Sequence, residues 1–193
     1  MPWETKFDID IAIDRATDVF WAKGYKATSL SDLLEAMEIN KGSFYNTFGS
    51  KKSLFSKALE KYDIDHRRQT LSNLRSINDP VAAIPQLFDL IIEQTTTDQD
   101  KKGCFIVNTA LDLPNHDDET NEMVTIGLKE VEAFFKEQVE LGINKGSMPQ
   151  SLSPEGTAKT LLTLAVGCRV LARGVFKPSD MDIIRKQVVA LIS

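Results

Sequence analysis

Apolar residues recur along this chain with the helical period almost from end to end, and the two-residue alternation of strands is nearly absent. Ile9, Ile13, Ala16 and Phe20 repeat at i, i+4, i+7 and i+11, and Gly24 stops the run, predicting a first helix over roughly 6–23. Thr28 or Ser29 caps a second helix to about residue 36, with Asp32 after Ser29 as the acid of a capping box. Asn40 caps a third over 41–47. Ser50 caps a fourth, whose apolar side, Leu54, Ala58, Leu59 and Tyr62, predicts a helix reaching about Arg75. Pro80 stands at a favoured first-turn position and opens a fifth to about Thr96, with Pro85 predicted to kink or restart it. Gly103 to Leu113 reads as a short apolar helix stopped by Pro114. Asp117, Asp118 and Glu119 crowd the positive end of a long helix running to Gly146. Ser153-Pro154 opens a helix to about Gly174, and Ser179-Asp180 opens the last. The pattern predicts an all-α chain of about nine helices, with a helix-turn-helix head over 1–50, extended along the fourth helix to about residue 60, and a helical body over 61–193.

At 193 residues the chain has ample length for a hydrophobic core. The net charge of −5 argues against a wholly basic nucleic-acid binder, yet residues 41–68 hold seven Lys or Arg against three acids, an excess of +4. Surface fields are screened within roughly 10 Å, so that local excess acts locally. The two cysteines, Cys104 and Cys168, without a signal peptide, read as reduced thiols of a cytoplasmic protein. No run approaches the ~20 apolar residues of a membrane span. His66 and His116 lie far apart, no His/Cys cluster has metal-ligand spacing, and the pattern implies no cofactor. No Glu-x-x-His pair, phosphate loop or nucleophile-base pair supports an enzyme.

Function is written most clearly in residues 28–55. On a helical wheel Phe44 and Phe48 fall together and face inward, leaving Gly42, Ser43, Tyr45 and Asn46 on the other side. Asn bonds adenine bidentately, Ser reaches base or phosphate, and Gly lets the backbone approach closely. Lys51 and Lys52 occupy the first turn of the next helix, where the dipole ordinarily favours acids. Lysines there, beside free N–H groups, suit an anionic partner such as phosphate. The spacing alone leaves open a polar helical corner with solvated lysines.

The head resembles that of the TetR family of bacterial transcriptional regulators. The resemblance rests on Phe20, Gly24-Tyr25, Thr28-Ser29-Leu30, Asp32-Leu33, Lys41-Gly42-Ser43-Phe44-Tyr45, Phe48, Ser50-Lys51 and Leu54-Phe55, about 50 residues in register. It implies an all-α homodimer, a helix-turn-helix that binds palindromic double-stranded operator DNA, and a body holding an effector pocket and the dimer interface. By family pattern Thr28, Lys41, Gly42, Ser43, Tyr45, Asn46 and Lys51 contact DNA. Ser29 joins them as the cap beside Thr28. Lys52 stands where the family often has an acid and adds a phosphate contact or nothing. Before the first helix only Lys6 is basic among Glu4, Asp8, Asp10 and Asp14, so an N-terminal arm has little to grip phosphate with.

The body resembles a branch of the same family at Gly103-Cys104-Phe105-Ile106-Val107-Asn108-Thr109-Ala110-Leu111. In related branches some members sense electrophiles or oxidants through cysteine. Cys104 follows Lys101 and Lys102 at a helix start, which lowers a thiol pKa; it is a sensor or a small buried hydrophobe. Asn108 and Thr109 line a cavity or bond within the core. Phe88, Ile92, Phe105, Phe134 and Phe135 form an aromatic pocket wall for a small, mostly apolar effector, or plain core. Leu161, Leu164, Cys168 and Leu171, with Ile184, Val188 and Leu191, predict a four-helix dimer interface from two copies, the alternative being a large monomer core. Regulation by a protein partner, with no effector, is the remaining alternative.

Overall fold

The computed structural model describes residues 7–193; Glu4, Lys6 and the expected first residue of the opening helix lie outside the described residues. Nine α-helices and no strand occur among those residues. They are α1 (Ile9–Lys23), α2 (Leu30–Met37), α3 (Lys41–Phe48), α4, α5 (Pro80–Thr97), α6 (Phe105–Ala110), α7 (Asp118–Asn144), α8 (Pro154–Leu171) and α9 (Pro178–Ile192). Helix α4 runs α-helically over Lys51–Tyr62, loosens into a π turn over Asp63–Arg68, and resumes over Gln69–Arg75.

The boundaries follow their caps. Asp8 accepts from the amides of Asp10 and Ile11, Asn40 from Ser43 at 2.9 Å, Ser50 from Ser53 at 3.0 Å, and Asp117 from Thr120 at 2.7 Å. Ser29 and Asp32 close the expected capping box at 2.7 and 3.1 Å. Thr28 does not cap α2; its hydroxyl donates to the Gly24 carbonyl instead.

Several boundaries differ from the sequence reading, three of them with a clear local cause. Helix α5 does not restart at Pro85, which sits in its second turn, buried with Ala83, Ile84, Leu87, Phe88 and Ile91. Helix α6 is short: Gly103, at φ +71°, bends the chain into it, and beyond Ala110 the chain turns into a 3₁₀ turn over Leu113–Asn115. Helix α9 starts at Pro178, because the Asp180 carboxylate accepts from the Lys177 amide at 2.8 Å.

Two cores result. The body core joins the end of α4 (Leu71, Leu74) to α5, the second half of α7 (Phe134, Phe135, Val139), α8 and α9. The head core joins α1 to α4, with Phe20, Phe44, Phe48, Leu54 and Phe55, and takes in Phe105 and Ile106 of α6 and Val124 of α7. A movement of α6 or of the start of α7 therefore presses directly on the head. At the π turn Asp63, buried, is bonded by Arg67 and by Arg68 at 2.9 Å, and Arg67 reaches Glu130 of α7 at 2.6 Å. That ion cluster ties α4 to α7.

Candidate nucleic-acid interface and effector chamber

Helices α2 and α3 meet at a tight turn in which Glu38 adopts the left-handed conformation, φ 56°, and pairs with Arg15 of α1 at 2.7 Å. Helix α3 then stands on Phe44 and Phe48, both buried. The opposite side is bare: Lys41, Gly42, Tyr45 and Asn46 are exposed, with Ser43 and Thr47 half-buried at its edges. Tyr45 is 47% exposed, a large aromatic without cover. At Gly42 a Cβ would stand 3.2 Å from Asn40 Oδ1, so glycine leaves room for the cap that starts the helix. Gly49, at φ +72°, ends it and lets Ser50 cap α4.

The lysines have separate environments. Lys41 occupies the first turn of α3, exposed, with no ion-pair partner among the described residues, where the helix dipole disfavours a cation. Lys52 is exposed, but its ammonium lies 2.6 Å from Asp117 Oδ2 at the start of α7. That carboxylate oxygen is buried and lies outside hydrogen-bonding geometry, so the contact is an ion pair only. Lys57 is exposed on the same side of α4 and was missed in the sequence, where it reads as any solvated lysine.

Two expected contact residues are placed otherwise. Thr28 is 1% exposed, its side chain engaged by Gly24 at 2.7 Å. Lys51 is turned inward, donating to the Thr28 carbonyl and lying 4.5 Å from the centroid of the Tyr25 ring. Desolvation pulls its pKa below the ordinary lysine value, with Asp32 opposing. Lys51 ties the start of α4 to the loop between α1 and α2. Ser29 is exposed, though its hydroxyl is committed to the capping box.

Behind this surface, in the body, lies a chamber of about 90 Å³. Its wall comes from α4 (Tyr62, His66, Arg67, Leu71), α5 (Leu87, Ile91), Cys104 and the start of α6, α7 (Leu128, Val131) and α8 (Leu162, Val166, Arg169). A wider polar mouth of about 560 Å³ shares Tyr62, His66, Gln94 and Arg169 with it and adds Trp21, Asp98, Asp100 and Lys102. Of the eight pocket residues read from the sequence, only Cys104 lines this space. Phe88, Phe134 and Phe135 are closed into the body core, Phe105 into the head core, and Ile92 packs against the body core from outside. Thr109 donates to its own helix at the Phe105 carbonyl. Asn108 bridges the Lys102 carbonyl at 2.7 Å and Arg173 at 3.2 Å, which braces the loop before α6. The α4 and α8 residues were missed; a signal existed in Arg169, the one charge in the apolar stretch 164–171 that ends α8.

The expected interface residues also divide. Leu161, Cys168 and Val188 belong to the body core, and burial pushes the Cys168 thiol pKa up. Leu164, Leu171, Ile184 and Leu191 remain partly exposed beside Ile183, 58% exposed. Gly167 sits on α8 with nothing within 4 Å of where a Cβ would be. No described helix is long and apolar enough to cross a membrane, and no cluster of metal-ligating side chains occurs among the described residues.

Residues 12–58 match the family described as bacterial regulatory proteins, tetR family, and residues 80–188 match the tetracyclin repressor-like C-terminal domain. Over 152 residues the chain is 32% identical to the HTH-type transcriptional repressor DhaR of Mycobacterium sp. (strain GP1), covering 78% of this chain and 74% of that one. Over 130 residues it is 30% identical to the HTH-type transcriptional regulator YezE of Bacillus subtilis (strain 168), covering 67% of each. A cysteine mutant of the TetR family regulator CifR, complexed with 26bp double-strand operator DNA, is similar over 100% of both chains at 28% identity and a TM-score of 0.85. Escherichia coli NemR in its reduced form, at 20% identity over 95% of this chain and 96% of that one, with a TM-score of 0.86, shares the fold.

Proposed function

The chain belongs to the tetR family of bacterial regulatory proteins and is a DNA-binding transcriptional regulator; from that premise we propose that it is a repressor, holding a palindromic operator as a homodimer and released by a small, mostly apolar effector in the chamber. One observation carries the reading. Helix α4 begins at the elbow that positions α3 and, at the end of its first α-helical stretch and across the π turn, supplies Tyr62, His66, Arg67 and Leu71 to the chamber wall. An occupant that moves α4 moves α3.

In this scheme Lys41, Gly42, Ser43, Tyr45 and Asn46 meet the major groove, Ser29 and Lys52 flank it, and Lys51 holds the elbow. Each head of a dimer takes one half-site, roughly 34–36 Å apart. The effector must bind a head spacing that misfits DNA more tightly than one that fits, because equal affinity shifts nothing. The test screens a metabolite panel by thermal shift on the whole protein, then titrates the stabilising compounds against labelled operator. Stabilising compounds are expected to weaken operator binding. Occupancy of the chamber without any change in operator affinity would refute the release mechanism.

A thiol-sensing variant of this scheme is favoured by one further observation. Cys104 lines the chamber half-exposed, beside Tyr62. N-ethylmaleimide is then expected to modify Cys104 in the native protein and release DNA, with the response lost in Cys104→Ser. Release that persists in Cys104→Ser sinks this variant alone.

A further inference from the structure

The chamber wall carries two cations and no carboxylate. Arg67 is already neutralised, bonded twice to Asp63 and once to Glu130. Arg169 is not. It lines both the chamber and its mouth, yet has no hydrogen-bonded or ion-pair partner among the described residues. A half-buried cation without a counter-charge bears a desolvation cost that nothing in the wall offsets. The guanidinium offers a planar fork of donors suited to a carboxylate.

Two neutral donors share its surroundings. The Tyr62 and His66 rings meet at a tilt of 41° with centroids 4.5 Å apart, and both residues line the chamber and the mouth. Burial, then the neighbouring Cys104, pushes the Tyr62 pKa up, so its hydroxyl keeps its proton. Burial pushes the His66 pKa down, with Arg169 and Lys61 adding to that and Asp65 opposing, so the imidazole is neutral at pH 7 and retains one N–H. Apart from Thr70, Gln94 and Cys104, the rest of the wall is aliphatic. At the mouth, Asp98 and Asp100 are partly offset by Lys102, 4.0 Å from Asp100, so among the described residues of chamber and mouth Arg169 is the one unpaired cation left to meet a single negative charge.

Resting on the reading of the chamber as the effector site, we propose that its ligand is an apolar monoanion, an aliphatic or aryl carboxylate. The headgroup binds Arg169 at the junction of chamber and mouth, with Tyr62 and His66 as further donors. The tail lies among Leu87, Ile91, Val131 and Leu162.

The experiment titrates the whole protein by calorimetry with octanoate and phenylacetate, and with octanamide and phenylacetamide as neutral isosteres. Each carboxylate is expected to bind at least about tenfold more tightly than its amide, the size of one charge-assisted hydrogen-bonded pair. Arg169→Gln is expected to abolish that preference, and Arg169→Lys, which keeps charge but not the fork, to retain part of it. Thermal unfolding and operator binding without ligand establish that both variants fold. Equal binding of acid and amide, a preference that survives Arg169→Gln, or no binding of any probe overturns the proposal. Carboxylates that bind through Arg169 without weakening operator binding uphold the ligand class and refute the release mechanism instead.

Discussion

Lys41 and Lys51 belong to the same motif and carry the same charge, but the structure gives them opposite roles, and replacing each by alanine separates those roles. The Lys51 ammonium donates to the Thr28 carbonyl and lies over the Tyr25 ring. A hydrogen bond from a charged group contributes roughly 1.5–3 kcal/mol, less where solvent reaches it, and a cation–π contact at a part-exposed site about 0.5–1. Lys51→Ala is therefore expected to destabilise the fold by about 2 kcal/mol. For a chain of this size that corresponds to roughly 4–8 °C in Tm, at a fixed protein concentration. Lys41 has no ion-pair partner among the described residues to lose. Lys41→Ala is expected to leave Tm within about 1 °C, or raise it slightly, since a cation leaves the first turn of α3. Its effect appears on DNA: one phosphate contact fewer flattens the slope of log K against log salt by about 0.9. The assays are differential scanning calorimetry of both variants and anisotropy titrations on operator and random duplex at several salt concentrations. A Lys51→Ala variant of wild-type stability with a flattened salt slope, or a Lys41→Ala variant with a lowered Tm and an unchanged slope, would refute the assignment.

Asn46→Ala is expected to lose roughly 1–3 kcal/mol on the operator and little on random DNA, read by the same titrations; equal losses on both would make Asn46 a phosphate contact. Leu164→Glu, on the partly exposed face of α8, is expected to convert a dimer to a folded monomer in light scattering and to abolish operator binding, whereas Val188→Glu buries a charge in the body core and is expected to prevent folding. A dimer that tolerates Leu164→Glu removes α8 from the interface. Asp32 is bonded by Lys23 at 2.8 Å and by the Ser29 amide at 2.7 Å, and these hold its pKa down, from 3.8 to about 2. Because the folded value is the lower one, the contribution is present above pH 4 and lost as pH falls through about 2. Unfolding curves between pH 5 and 2 should fall less steeply for Asp32→Asn, and identical curves would remove Asp32 from the acid response.

The caps and the helical period are local, and they were legible in the chain. Ser29 with Asp32, Asn40 and Ser50 act within three residues of themselves, so their partners are implied by spacing. The inward side of α3 follows from Phe44 and Phe48 alone, because a helix of two turns has one apolar stripe to bury. What the sequence left open depends on partners far along the chain. Lys51 reads as a phosphate ligand until the fold brings the carbonyl of Thr28, 23 residues earlier, against it. Phe88, Phe134 and Phe135 have the same helical spacing in a pocket wall as in a core, and only the packing of α5 against α7 places them in the core. Leu161, Cys168 and Val188 likewise read as interface until α8 and α9 close on the rest of the body and leave Leu164, Leu171, Ile184 and Leu191 at the surface. The chamber has no sequence signature of its own, since five helices from Tyr62 to Arg169 each supply a few side chains to it. Periodicity names the face of a helix that is buried; which neighbour buries it, and whether a gap remains between them, is decided only when the helices pack.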